Sequence, residues 1–197
     1  VQGRRHNRAV RLAARLLAPD LCAVQSSVTL AQARALGWRT VYLPPGVDLA
    51  TFRPVSLAEK AQLRAQYGLP ADRPVVLHAG HLNRSRGVLD LAAIADLACP
   101  VLAASTSTPQ EAALAVELAA AGVRLFTGYV PRIEELYQAA DAYLFPVPRD
   151  PLAPSSIDLP LSVLEAAACN LPVITTRFGA LPELWADVAG VTFYDDP

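Results

Sequence analysis

The run Pro160-Leu-Ser-Val-Leu-Glu165, which continues through Ala-Ala-Ala-Cys-Asn-Leu to Pro172 and the β-branched Val173-Ile-Thr-Thr176, concentrates the chain's clearest chemistry. Proline fixes φ and carries no N–H, so Pro160 suits the position just outside a helix that begins near Leu161. The first amides of that helix, at Leu161, Ser162 and Val163, then lack intrahelical acceptors and face outward as an anion site. Glu165, one turn further in, offers two acceptor oxygens of the kind that take both hydroxyls of a ribose in other nucleotide folds. The spacing describes a pocket for a nucleoside diphosphate.

A second polar cluster is Gly80-His-Leu-Asn-Arg-Ser-Arg-Gly87. Its two glycines permit close backbone approach, and Arg86 can clamp phosphate oxygens bidentately beside His81. The other reading of this loop is a flexible turn with solvated arginines. His78 lies inside the apolar run Val75-Val-Leu-His-Ala79 and fits a buried, hydrogen-bonded histidine. Gly128-Tyr129-Val130 either receives a nucleobase against backbone and ring or packs. Several chemistries are absent from the sequence. It contains no Asp-x-Asp pair for a divalent metal, no zinc-ligand spacing, no Gly-x-Ser-x-Gly elbow, no Walker loop and no Gly-x-Gly-x-x-Gly fingerprint.

These groups need a scaffold, and the hydrophobic pattern supplies one. Strands are expected at 75–79, 101–104, 123–126, 142–145, 173–176 and 190–194, with helices at about 88–98, 109–121, 131–140, 161–169 and 180–186. Alternating strands and helices define an α/β fold with a doubly wound, Rossmann-like parallel sheet. Ligands of such sheets sit beyond the carboxyl ends of the strands, where each of the candidate loops falls. Upstream, an arginine-rich helix at about 5–18 precedes a strand at 21–25, a helix at 27–36 stopped by Gly37, and a strand at 40–43. The rigid turn at 44–48 marks a domain boundary, and Ser56 with Glu59 forms a capping box for a helix that runs to Tyr67. The proline-rich loop over 146–160 has no periodicity and leads straight into the phosphate helix, so it reads as functional.

The chain has 197 residues, 53 % hydrophobic and 18 % charged, with a net charge of -1, which excludes a general polyanion binder such as a nucleic-acid protein. No apolar run reaches the length of a membrane span. Cys22, Cys99 and Cys169 are widely spaced in apolar surroundings and read as reduced core residues of a cytoplasmic protein. Arg8, Arg11 and Arg15 share one face of the first helix. That face is either solvated or attracted to anionic lipid or a phosphorylated acceptor, the latter implying peripheral contact at the inner membrane face. A chain without any methionine reads as a piece of a longer one.

Taken in order, these motifs resemble glycosyltransferase family 4, the retaining, metal-independent glycosyltransferases of the two-domain GT-B fold. Pro44-Pro-Gly-Val-Asp-Leu-Ala-Thr-Phe-Arg-Pro54 is similar to the family's interdomain segment, and residues 75–87 to its diphosphate loop. Residues 126–130, Ala140-Asp141 and Pro160 to Glu183 complete the order. The resemblance implies that residues 1–43 end an N-terminal acceptor domain, 44–55 join the domains, and 56–197 form the C-terminal nucleotide-sugar-binding domain. It implies a hexosyltransferase that needs no cofactor or metal, with a UDP-, GDP- or ADP-sugar as donor and a saccharide, lipid-linked or small molecule as acceptor. Arg86 takes the place of the family's diphosphate lysine and His81 that of its arginine. Glu165 matches the second glutamate of Glu-x(7)-Glu, the ribose ligand. The first glutamate should stand at 157, where this chain has Ile157, so Asp158 is the candidate substitute facing the donor sugar. A non-catalytic nucleotide or sugar-phosphate binding module is the alternative function, and a piece of this extent alone is expected to bind without turnover.

Overall fold

The computed structural model describes residues 13–148 and 158–194, residue 15 excepted. Arg8, Arg11, Arg15 and Ile157 lie outside the described residues. Near the start, β1 (Cys22–Val24), α1 (Ser27–Ala35) and β2 (Thr40–Tyr42) form one unit whose strands pair in parallel. Ser26 and Thr29 cap α1 reciprocally, and Gly37, at φ +83°, ends it. The expected capping box at Ser56 and Glu59 opens α2 (Leu57–Gln66), with Gly68 at φ +63° after it.

The main sheet has six strands: β3 (Val75–Gly80), β4 (Cys99–Ala104), β5 (Arg124–Phe126), β6 (Ala142–Phe145), β7 (Val173–Thr175) and β8 (Val191–Phe193). All neighbours pair in parallel in the order β5-β4-β3-β6-β7-β8. The chain therefore winds outward from β3 to one edge, returns to the other side of β3, and winds outward again. That reversal opens a crevice beyond the ends of β3 and β6, the switch point of a doubly wound sheet. The crossovers carry α3 (Asp90–Ala93), α4 (Ala112–Ala120), α5 (Ile133–Ala139), α6 (Leu161–Ala168) and α7 (Leu181–Trp185).

Each face of the sheet has its own apolar layer. Val75, Leu77, Tyr143 and Val163 belong to one, Val76, Leu102, Leu114 and Leu144 to the other. Cys99 and Cys169 are buried as expected, whereas Cys22 is only half-buried.

One expected helix is different. Residues 88–98 form only the short α3 after a 3-10 turn at Arg84–Arg86. Bonds from Leu91 N to Val88 O, Ala95 N to Ala92 O and Leu97 N to Ile94 O tighten this crossover into single turns.

Asp141 ties α2 to the sheet. Its carboxylate accepts from the Val75 N–H at 2.8 Å, from Lys60 at 3.1 Å and from the buried Arg64. Burial pushes the Asp141 carboxyl up, but the Val75 N–H, Arg64 and Lys60 outweigh that and hold it below its ordinary value.

Candidate active site

The crevice between β3 and β6 is a cleft of about 140 Å³. One wall comes from the end of β3 and the loop after it, through His78, Gly80, His81 and Arg86. The opposite wall is Pro160, Leu161 and Ser162 at the start of α6, and Phe145, Val147 and Phe178 close the apolar side. Two loops that sequence alone marked as chemical thus meet across one space.

The β3 loop is held by its second glycine. Gly87 has φ +68°, and a Cβ there would lie 2.0 Å from Pro146 O, so only glycine lets this loop rest on the strand-end of β6. The two arginines of the loop separate. Arg84 pairs with Glu117 on α4 and turns from the crevice, while Arg86 lines it. His81 shares a 2.8 Å hydrogen bond through Nδ1 with Thr108 Oγ1, which leaves Nε2 as its other functional atom. Burial and then Arg86 lower the His81 pKa. Sequence reasoning did not single out Thr108; its only signal is that it follows a strand beside the β3 loop.

Pro160 is the N-cap of α6, with φ -67° and ψ 124°, and no side chain caps this end. The Leu161 and Ser162 amides lie within the first turn, without acceptors inside the helix, beside the cleft. Val163 differs from expectation: its N–H donates to Pro160 O at 3.2 Å, because the first turn closes as an i to i+3 bond. Its side chain is fully buried in the core.

Glu165 is half-buried on α6, and the Tyr137 hydroxyl donates to its Oε2 at 2.8 Å. Burial raises the Glu165 pKa, and the Tyr137 bond opposes that. Tyr137 stacks on Tyr143 with ring centroids 5.6 Å apart, and Tyr143 donates to Ala79 O at 3.2 Å beneath the cleft. A fixed carboxylate therefore stands one turn behind the open N-terminal end of α6, outside the residues that line the cleft.

Asp158 is not among the cleft residues. Its Oδ2 accepts from Ser26 Oγ at 2.7 Å, and its backbone oxygen accepts from Ala180 N at 2.8 Å. Gly179, at φ +53°, makes that second contact possible, since a Cβ would sit 2.2 Å from Asp158 O. Gly128, Tyr129 and Val130 follow β5, near the sheet edge; Tyr129 is 79 % exposed and Val130 packs against the core. They do not line the described cleft. Among the described residues no His, Cys, Asp or Glu cluster could hold a metal ion.

A parallel α/β sheet wound in this order, with the open end of α6, the Arg86 guanidinium and the His81 imidazole at its switch point, is a doubly wound, Rossmann-like architecture. Residues 73–197 match the family model described as Glycosyl transferases group 1, and the chain belongs to that family. It is 31 % identical over 158 residues to a D-inositol 3-phosphate glycosyltransferase of Acidothermus cellulolyticus, a match covering 71 % of this chain and 33 % of the relative. It is 29 % identical over 155 residues to the alpha-maltose-1-phosphate synthase of Mycolicibacterium smegmatis, covering 72 % of this chain and 38 % of that protein. The chain thus spans well under half the length of the curated relatives it matches. Solved glycosyltransferases share the fold. The sucrose-phosphate synthase of Thermosynechococcus elongatus superposes with a TM-score of 0.71 at 21 % identity, covering 100 % of this chain and 51 % of that one. Anabaena Alr3699/HepE, solved in complex with UDP, does so with a TM-score of 0.72 at 21 % identity, covering 97 % and 55 %.

Among the described residues no helix is long and apolar enough to cross a membrane.

Proposed function

We propose that this chain is the donor-binding part of a retaining, metal-independent hexosyltransferase of glycosyltransferase family 4, with a nucleotide sugar as its substrate. The observation that carries the reading is the meeting of Arg86 and His81 with the open end of α6 across one cleft at the sheet's switch point. Residues 56–197 are the nucleotide-sugar domain, 44–55 the joining segment, and 1–43 the last elements of an acceptor domain. In transfer, the bond from the anomeric carbon to the diphosphate oxygen breaks with its electron pair staying on that oxygen, while an acceptor hydroxyl oxygen bonds the same carbon and its proton passes to the departing diphosphate. Arg86, His81 and the Leu161 and Ser162 amides stabilise that charge in place of a metal. Glu165, its carboxylate fixed by Tyr137, takes the ribose hydroxyls, and residues 128–130 receive the base. The whole protein works in the cytoplasm, and Arg8, Arg11 and Arg15 supply any contact with a membrane face.

The test is calorimetric titration with UDP, GDP and ADP, in magnesium and in chelator. One of the three binds with the same affinity in both, and at about 100 times its dissociation constant adds roughly 2.7 kcal/mol of stability. A strict metal requirement overturns the proposal.

A second reading, a nucleotide-binding module without efficient transfer, is favoured by the bond that draws the Asp158 carboxylate to Ser26 and away from the cleft lining. Assay of the full-length protein separates the two, because only a transferase releases the diphosphate in the presence of acceptor.

A further inference from the structure

One buried side-chain polar atom among the described residues has no hydrogen-bond partner, and it is His78 Nε2. His78 is 1 % exposed in β3, yet its ring forms part of the cleft wall. Its Nδ1 lies 2.9 Å from Leu144 O. A carbonyl oxygen only accepts, so Nδ1 carries the proton and Nε2 presents a lone pair. Burial, against the pull of the Leu144 contact, brings the His78 pKa down to about 4, so the ring is neutral and Nε2 is an acceptor.

Gly80 is the residue beside this nitrogen. A Cβ at Gly80 would lie 2.4 Å from Nε2. Gly80 is not among the glycines with positive φ, so its backbone would tolerate any residue. Glycine is needed there for clearance, and both His78 and Gly80 belong to the lining of the crevice. A buried acceptor left unpaired is costly, and the cleft is the side from which a donor can arrive.

The chemistry of the donor follows from what a nucleotide sugar contains. Phosphate oxygens at neutral pH accept, and Arg86, His81 and the α6 amides answer them. Sugar hydroxyls donate. Resting on the reading of this cleft as a nucleotide-sugar site, we propose that His78 Nε2 accepts a hydrogen bond from a hydroxyl of the transferred sugar. His78 is then a specificity residue that the nucleoside diphosphate alone does not engage.

The experiment uses matched pairs, UDP with UDP-glucose, GDP with GDP-mannose and ADP with ADP-glucose, on the whole chain and its His78→Phe variant. For the pair that binds, His78→Phe should weaken the nucleotide sugar by about threefold to tenfold, the range one neutral hydrogen bond supplies, and leave the diphosphate unchanged. Because the variant also loses the Leu144 bond, nitrogen-15 spectra of histidine-labelled wild-type protein give an independent readout. The Nε2 resonance should move upfield with the nucleotide sugar and stay put with the diphosphate. Equal losses for both ligands, a resonance the sugar does not move, or proton uptake that makes His78 an imidazolium each overturn the proposal. If none of the three diphosphates binds, the nucleotide reading itself fails, which is a separate result.

Discussion

Ser26 Oγ donates to Asp158 Oδ2 at 2.7 Å, joining the cap of α1 to the approach to α6 across 132 positions of chain. The same hydroxyl accepts from Thr29 N at 3.1 Å, and the neighbouring Ser27 Oγ donates to Glu183 Oε2 at 2.6 Å. Two carboxylates thus pin the start of α1, one on the approach to α6 and one on α7. Ser26→Ala removes both a helix cap and a charge-assisted bond, so a loss of about 1–2 kcal/mol is expected in denaturant titration. Asp158→Asn should lose less, and the double variant little more than Ser26→Ala alone. Full additivity would show that the two side chains do not act on each other.

On the proposed reading, His81 makes diphosphate binding depend on pH. Its folded pKa is lowered from 6.5, chiefly by burial and then by Arg86, so the free site holds a neutral ring at neutral pH. A bound diphosphate favours the imidazolium, and its affinity should therefore rise as pH falls toward and below 6.5. The ratio of wild-type to His81→Gln affinity for UDP, GDP or ADP should grow between pH 8 and pH 6. A ratio that stays flat across that range would place His81 off the phosphates. In His81→Arg the charge is permanent, so the wild-type dependence should vanish.

If Glu165 serves ribose as proposed, Glu165→Gln should weaken a nucleoside diphosphate more than inorganic pyrophosphate. The expected difference is about 1.5–3 kcal/mol, measured by competition against each ligand. Equal effects on both would mean that the carboxylate serves Tyr137 alone.

Asp141 anchors α2 to the first strand of the main sheet, and its folded pKa lies below the ordinary 3.8. A depressed carboxylate stabilises above its unfolded pKa and loses that contribution as pH falls through the folded value. Asp141→Asn should therefore destabilise the protein at pH 7, by about 1–3 kcal/mol, and show a shallower loss of stability below pH 3.8 than wild type. Parallel acid-unfolding curves for the two proteins would refute the assignment.

The fold was largely legible because its signals are local. Capping boxes at Ser26 and Ser56, glycine stops at 37 and 68, and β-branched or apolar strand runs all read at short range. The site was half legible for the same reason. Loops after strands could be chosen from the order of elements alone, which brought His81, Arg86, Leu161 and Ser162 together. What sequence could not supply were the partners. The bonds of Asp158 to Ser26, of His81 to Thr108 and of Glu165 to Tyr137 cross elements, and no spacing rule announces them. Residues 88–98 were misread because apolar periodicity does not distinguish one helix from a string of tight turns.

The strand order also fixes when the cleft comes into being. β3 leaves the ribosome first of its sheet but lies at the centre, and its partners on one side, β4 and β5, follow it at once. Those three strands can assemble early, with the β3 loop present but nothing opposite it. The facing wall arrives only when β6 docks and α6 is complete, so closure must await a long-range pairing, the slow kind of step in folding. A nucleotide bound as proposed therefore cannot template the first half of this sheet. It can only hold the finished one together, so added ligand should slow unfolding and leave the early phase of refolding untouched.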